Sequence, residues 1–158
     1  MADTVLQEQL DYRKVVLSVN RSRPFNPAEL IGEGWTIEEQ DERSLALTEV
    51  ELSSLRFETC LKDGEQYITG EERLRRLKEA GQIRLDAKVF EALRQEQTVI
   101  IKSWTKRSED ISCLSFDGTV IRDPYGRRCV LCRCAWGWDY RWLGRDWDAH
   151  SVSALLTS

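Results

Sequence analysis

The spacing of hydrophobic positions changes character twice along the chain. Residues 4–19 are mixed: Val5, Leu6 and Leu10 suit a short N-terminal helix, while the β-branched run 12–19 suits a continued helix or a strand. Residues 35–40 and 44–52 read as strands joined by a turn at 40–43. A third strand at 56–61 ends at Lys62-Asp63-Gly64. The period is then helical between residues 69 and 97. Alternation returns at 98–104, 111–116, 119–123, 127–136 and 138–143, with Gly137 breaking the last run.

Capping and turn residues sharpen this outline. Asn26 is a good N-cap, Pro27 suits the first helical position, Glu29 can complete a capping box, and Phe25 and Leu30 hold the positions of a hydrophobic staple. Gly32 ends that helix after about one turn. Thr69 and Glu72 form another capping box, Leu74 and Leu77 face inward, and Gly81 is the stop. Glu71 and Glu72 sit at the positive end of this helix and Lys78 near the negative end. Asp86 caps a second helix whose Val89, Phe90 and Leu93 share a face. Asp117-Gly118 is the strongest short hairpin signal, and Asp123-Pro124-Tyr125-Gly126 suits a type I turn. The turns after residue 97 are too short for parallel crossovers. The predicted fold class is therefore α+β: an antiparallel C-terminal meander, a pair of helices and a short N-terminal helix. One domain spans 1–158, with the N-terminal helix and strands in 1–65, the helical pair in 69–97 and the meander in 98–148.

Six segments carry a family resemblance: residues 23–27 (RPFNP), 34–37 (GWTI), 44–50 (SLALTEV), 69–74 (TGEERL), 84–87 (RLDA) and 116–120 (FDGTV). Together they make most of the chain similar to a family of short uncharacterised bacterial proteins, of the kind carried on mobile elements, including integron gene cassettes. The resemblance implies a bacterial cytoplasmic setting and brings no catalytic assignment.

Composition narrows the function classes. A chain of 158 residues, 41% hydrophobic and 32% charged, can bury a core without disulfides or metal. It has no apolar run of membrane-spanning length, so no membrane partner is expected. The net charge of -4 argues against nonspecific binding to nucleic acid. Charge is unevenly spread: residues 33–58 hold eight acids against Arg43 and Arg56, whereas residues 119–158 hold six Arg against four Asp. Both stretches read as solvated surface, or as complementary patches that bring copies of the chain together. The helical pair could suggest a helix-turn-helix, but Asp86, Glu91 and Glu96 offset Lys88 and Arg94 on the second helix.

Candidate chemistry is sparse. The cysteines are Cys60, Cys113, Cys129, Cys132 and Cys134, an odd number without framework spacing, and the N-terminus lacks a signal-peptide pattern. A reducing cytoplasm is the expectation. On one strand Cys132 and Cys134 share a face and Cys129 takes the other, so a zinc site would need Cys113, Cys60 or His150 as a further ligand. Packing is the preferred role, with no metal, cofactor or disulfide expected. His150, the single histidine, could form an acid–base pair with Asp146 or Asp148, or a dyad with a cysteine. No nucleophile elbow, phosphate loop, dinucleotide fingerprint or zinc-protease motif occurs. The aromatic residues are the most distinctive feature: Trp136, Trp138, Trp142 and Trp147 fall within twelve residues, with Tyr140 among them. Trp136, Trp138, Tyr140 and Trp142 have one parity and are expected on one sheet face, completed by Val130, Cys132 and Cys134. These aromatics, with Asp146 and His150, are the candidate ligand or interface residues. The expected function is a non-enzymatic binding or interaction protein that self-associates as a homo-oligomer. The alternative is a small-molecule enzyme with an aromatic pocket and an Asp/His acid–base group.

Overall fold

A computed structural model describes residues 16–96, 111–134 and 137–157. The predicted N-terminal helix and the strand at 98–104 lie outside the described residues; the first described element is β1 (Val16–Ser18). Asn26 opens α1 (Pro27–Leu30), its Oδ1 accepting from Ala28 N at 3.1 Å, while Glu29 pairs with Arg23 rather than closing a capping box. Phe25 is buried and Leu30 packs against the same core, as the staple requires.

β2 (Thr36–Gln40) forms as expected, but the next segment does not. Asp41 is an N-cap, accepting from Arg43 N at 3.0 Å and opening α2 (Glu42–Leu45). The predicted strand at 44–52 shrinks to β3 (Glu49–Glu51), followed by a 3-10 turn at Leu52–Ser54. The alternation was real, but a local cap outcompeted it. β4 (Arg56–Glu58) and β5 (Tyr67–Thr69) follow. Thr69 Oγ1 accepts from Glu72 N at 3.1 Å at the start of α3 (Gly70–Ala80), and Gly81 ends the helix in the left-handed region at φ 69°. After β6 (Ile83–Arg84), Asp86 caps α4 (Ala87–Gln95), which buries Val89, Phe90 and Leu93 as its periodicity predicts. Asp86 is itself buried: Arg21 pairs with it at 2.8 Å and Ser44 Oγ bonds it at 2.5 Å, tying α4 to the N-terminal segment.

The Asp117-Gly118 hairpin is overturned. Both residues lie inside one long strand, β7 (Cys113–Arg122). The register of β7 on β8 (Arg128–Cys134) jumps from Phe116↔Leu131 to Ile121↔Cys129, so Asp117–Val120 forms an irregular bulge. Its backbone pairs elsewhere: Gly118 N donates to Leu85 O and Asp41 N donates to Gly118 O, each at 2.8 Å. A Cβ at Gly118 would lie 2.2 Å from Arg84 O, so glycine is there for close backbone approach rather than for a turn. The 123–126 turn does form, with Gly126 N bonded to Asp123 O at 2.9 Å.

β7, β8 and β9 (Gly137–Trp142) make the consecutive antiparallel meander. Two corrections follow at its ends. β10 (Asp146–Asp148) leaves the sheet to pair with β5. The residues after 148, beyond the predicted meander, form β11 (Ser151–Leu156), which lies parallel to β7 and antiparallel to β4 and β6. The fold is α+β with a main sheet ordered β4-β11-β7-β8-β9, joined by β2 along β7 and β6 along β11. α4 and the N-terminal segment cover one face around Leu114, Phe116, Ile121, Leu131 and Val152. No helix among the described residues is long and apolar enough to cross a membrane.

Candidate functional site

Strand register sorts the side chains of the main sheet into two chemically different faces. Directly paired residues share a face. On β8 and β9 the pairs Cys129↔Trp142, Leu131↔Tyr140 and Arg133↔Trp138 lie on the face toward α4. The pairs Cys132↔Asp139 and Val130↔Arg141 lie on the other. The expected single face of aromatics plus Val130, Cys132 and Cys134 is therefore incorrect. The aromatics do share a parity, but they meet Cys129 and Leu131, because the β8–β9 register pairs odd with even positions.

The aromatic face is mostly committed to packing. Trp138 is half-buried and meets Phe90 edge-to-face at 5.0 Å. Tyr140 meets Trp35 at 4.5 Å. Tyr140 and Trp142 remain 42% exposed each. Trp136 lies outside the described residues. Trp147 is separate from all of them: it is 1% exposed, on β10, in a second core cluster with Leu74, Val120, Val130 and Leu143.

The opposite face is mixed: the second apolar cluster packs part of it under α3, and Arg73 centres its polar part. α3 buries Gly70, Arg73, Leu74 and Leu77, a helical stripe with one arginine in it. Its start docks on the β9–β10 connection, Gly70 N donating to Arg145 O and Glu71 N to Leu143 O. That aims Arg73, 1% exposed, onto the sheet. Its Nη1 donates to Ser151 O at 2.8 Å, its Nη2 to Ser115 Oγ at 2.7 Å, and its Nε lies 3.8 Å from Asp117 Oδ2. The guanidinium stands 4.0 Å from the centroid of the Trp147 ring. Burial lowers its pKa to about 10, with Asp117 opposing the shift, so it stays charged at neutral pH. Sequence reasoning missed Arg73; its signal was its place beside Leu74 and Leu77 in the apolar stripe.

Three cysteines sit on this face. Because β7 is continuous, β8 runs antiparallel along its whole length, which brings Cys134 directly opposite Cys113. The two form a disulfide, correcting the expectation of none. Cys132 Sγ lies 3.3 Å from Cys134 Sγ. Burial, and to a smaller extent Asp139, pushes the Cys132 thiol up to about 12. Cys129 is on the apolar face, as the alternation predicted, and its thiol is pushed up to about 11 by burial first.

A cleft of about 430 Å³ opens beside β9, its wall drawing on both faces of the sheet: Cys129, Tyr140 and Trp142 from the aromatic face as well as Cys113, Asp139 and Arg141 from the other. Arg141, Arg145, Asp139, Asp146, Asp148 and Cys113 line it. Arg141 is held by an Nη1 bond to Ser151 Oγ at 2.6 Å. Tyr140 and Trp142 also contribute to its wall, as do Arg127 and Asp123, which pair at 2.6 Å. The structure thus brings Tyr140, Trp142 and Asp146 to one site. It leaves Trp138 and Trp147 in the core. His150 is exposed at the β10–β11 connection and is not a lining residue of the cleft. Its backbone N donates to Asp148 Oδ1 at 2.9 Å, and its carbonyl accepts from Ser112 N at 2.7 Å.

Comparison with protein-family models, curated proteins and solved structures found no match.

Proposed function

We propose that this chain is a non-enzymatic binding protein whose site is the polar cleft, and that its ligand is a small zwitterion such as a free amino acid. The observation that carries this is the convergence of Arg141 and Arg145 with Asp139, Asp146 and Asp148 around one cleft. Opposite charges fixed across a cavity suit a ligand that itself carries both signs. Ser151 restrains Arg141, which lowers the entropic cost of presenting it. Asp146, Asp148 and His150 are all exposed. That favours binding over the acid–base alternative, which calls for partly buried convergent groups. The setting we propose is the bacterial cytoplasm implied by the family resemblance.

The test is a thermal-shift panel of free amino acids, small carboxylates and small amines against the full chain. A zwitterion should raise the midpoint of wild type and not of Arg141→Ala. If carboxylates or amines alone act equally well, or Arg141→Ala responds as wild type does, this reading is wrong.

A second reading, self-association, rests on Tyr140 and Trp142, 42% exposed on one face of the last strand in the sheet order. The strand edge is blunted, since Asp139 Oδ1 accepts from Tyr140 N at 2.8 Å and Trp142 O from Arg145 N at 3.2 Å. A second copy would therefore dock on the ring faces instead of adding a strand. Light scattering on wild type and Trp142→Ala tests this: a dimer that Trp142→Ala dissociates supports it, and a wild-type monomer overturns it.

A further inference from the structure

We propose that Cys113, Cys132 and Cys134, when reduced, form a thiolate site for one zinc(II) ion, and that the Cys113–Cys134 disulfide is the metal-free form of that site. This does not rest on the identity of the cleft's ligand. The three sulfurs lie within 4.8 Å of one another, on residues 2%, 0% and 3% exposed. Thiolates around a tetrahedral zinc at about 2.3 Å stand roughly 3.8 Å apart, so the cluster needs only small side-chain movements once the disulfide opens. The topology supplies the convergence: Cys113 and Cys134 are opposed across two strands, and Cys132 shares their face two residues away.

Packing alone accounts poorly for this cluster. Cys129 behaves as a filling hydrophobe, merged with the main apolar core. The other three form a cluster of their own, apart from both apolar cores. Their registered neighbours are polar: Ser151 beside Cys113, and Ser115 and Asp139 on either side of Cys132. Charge also fits. Three thiolates and one zinc(II) carry a net negative charge, and Arg73 and Arg141 both act electrostatically on Cys132. Cys113 also lines the cleft, which gives the site a side from which an ion could enter.

Loading proceeds in two balanced steps. A dithiol or phosphine reductant gives two electrons to the Cys113–Cys134 bond and the S–S bond breaks; a dithiol passes its two protons to the sulfurs and becomes a disulfide, while a phosphine becomes an oxide with water supplying the oxygen and both protons. Zinc(II) then binds the three sulfurs and displaces their three protons.

The experiment uses the full chain in two forms, air-oxidised and phosphine-reduced, each given zinc(II) and then challenged with a chromophoric chelator. The reduced form should hold about one equivalent and the oxidised form none. Cys129→Ser should hold zinc as wild type does, while Cys132→Ser should hold it at least about tenfold more weakly. Cadmium(II) added to reduced wild type should give thiolate charge-transfer absorption, a readout that needs no variant to fold. Reduced protein that yields its zinc as readily as oxidised protein, a Cys129→Ser loss equal to that of Cys132→Ser, or no charge-transfer band would overturn the proposal.

Discussion

Replacing Gly118 with alanine should be among the most damaging single-methyl changes in this protein. The added Cβ would sit 2.2 Å from Arg84 O and 2.5 Å from both C and O of Leu85. These are backbone atoms, so no side chain can swing away. Restoring an ordinary carbon–oxygen contact of roughly 3.2 Å requires the bulge and the 84–85 segment to part by about 1 Å. That stretches the Gly118 N to Leu85 O bond, now 2.8 Å, beyond hydrogen-bonding range. It also strains the Arg84 Nη1 bond to Asp117 O at 3.0 Å. Overpacking costs about 1–3 kcal/mol and a buried amide left unbonded about 1–3 kcal/mol more. The expected loss is therefore about 2–6 kcal/mol, a large share of a domain's total stability. Urea denaturation followed by circular dichroism measures it. Gly126→Ala is the control: its Cβ meets nothing within 4 Å, and only its φ of +84° opposes alanine, a cost of about 1 kcal/mol. If Gly118→Ala lost no more than that control, Gly118 would behave as a turn tip and the bulged β7 would be wrong.

Asp86→Asn should cost about 2–4 kcal/mol by denaturation, since it weakens a cap and a buried pair with Arg21 together. Burial pushes the Asp86 pKa up, but the hydrogen bonds from Arg21 and Ser44 outweigh it, so the folded value lies below the ordinary 3.8. Its contribution is thus fully present above pH about 4 and disappears as pH falls through the lowered folded value; the wild type should lose stability there and Asp86→Asn should show a shallower decline. Trp138→Ala should cost about 2–4 kcal/mol because its ring meets Phe90 in the core, whereas Trp142→Ala, at a site 42% exposed, should cost about 1 kcal/mol. Equal losses in the two would contradict the division of the aromatic face into a packed end and an open end.

The parts of the fold that could be read from sequence were those decided within a few residues. Thr69, Gly81, Asp86 and Asn26 mark helix ends through bonds to amides two or three residues away or through a left-handed turn, and the structure places them as read. The errors arose where a distant segment decided the outcome. Asp117-Gly118 has hairpin chemistry, but Leu85 and Asp41 take its backbone bonds and keep the strand continuous. That one change moves Cys134 opposite Cys113 and so creates the thiol cluster. Side-chain alternation separated Cys129 from Cys132 correctly. It could not give the β8–β9 register, and the aromatics were therefore joined to the wrong cysteines. Of the candidate site, Tyr140 and Trp142 were found from the aromatic cluster and Asp146 from its nearness to His150, while Arg141, like the buried Arg73 outside the cleft, depends on which face is covered.

The most direct test of the cleft is a two-dimensional amide NMR titration of the full chain with the zwitterion that gives the largest thermal shift. Binding in the cleft predicts that amides of Ser112, Asp139, Arg141, Asp148 and Ser151, which surround it, move together and saturate at one equivalent. Shifts confined to Trp35, Phe90 and Trp138, which do not line it, or no saturable shifts around Arg141, would contradict the assignment of the cleft as the binding site.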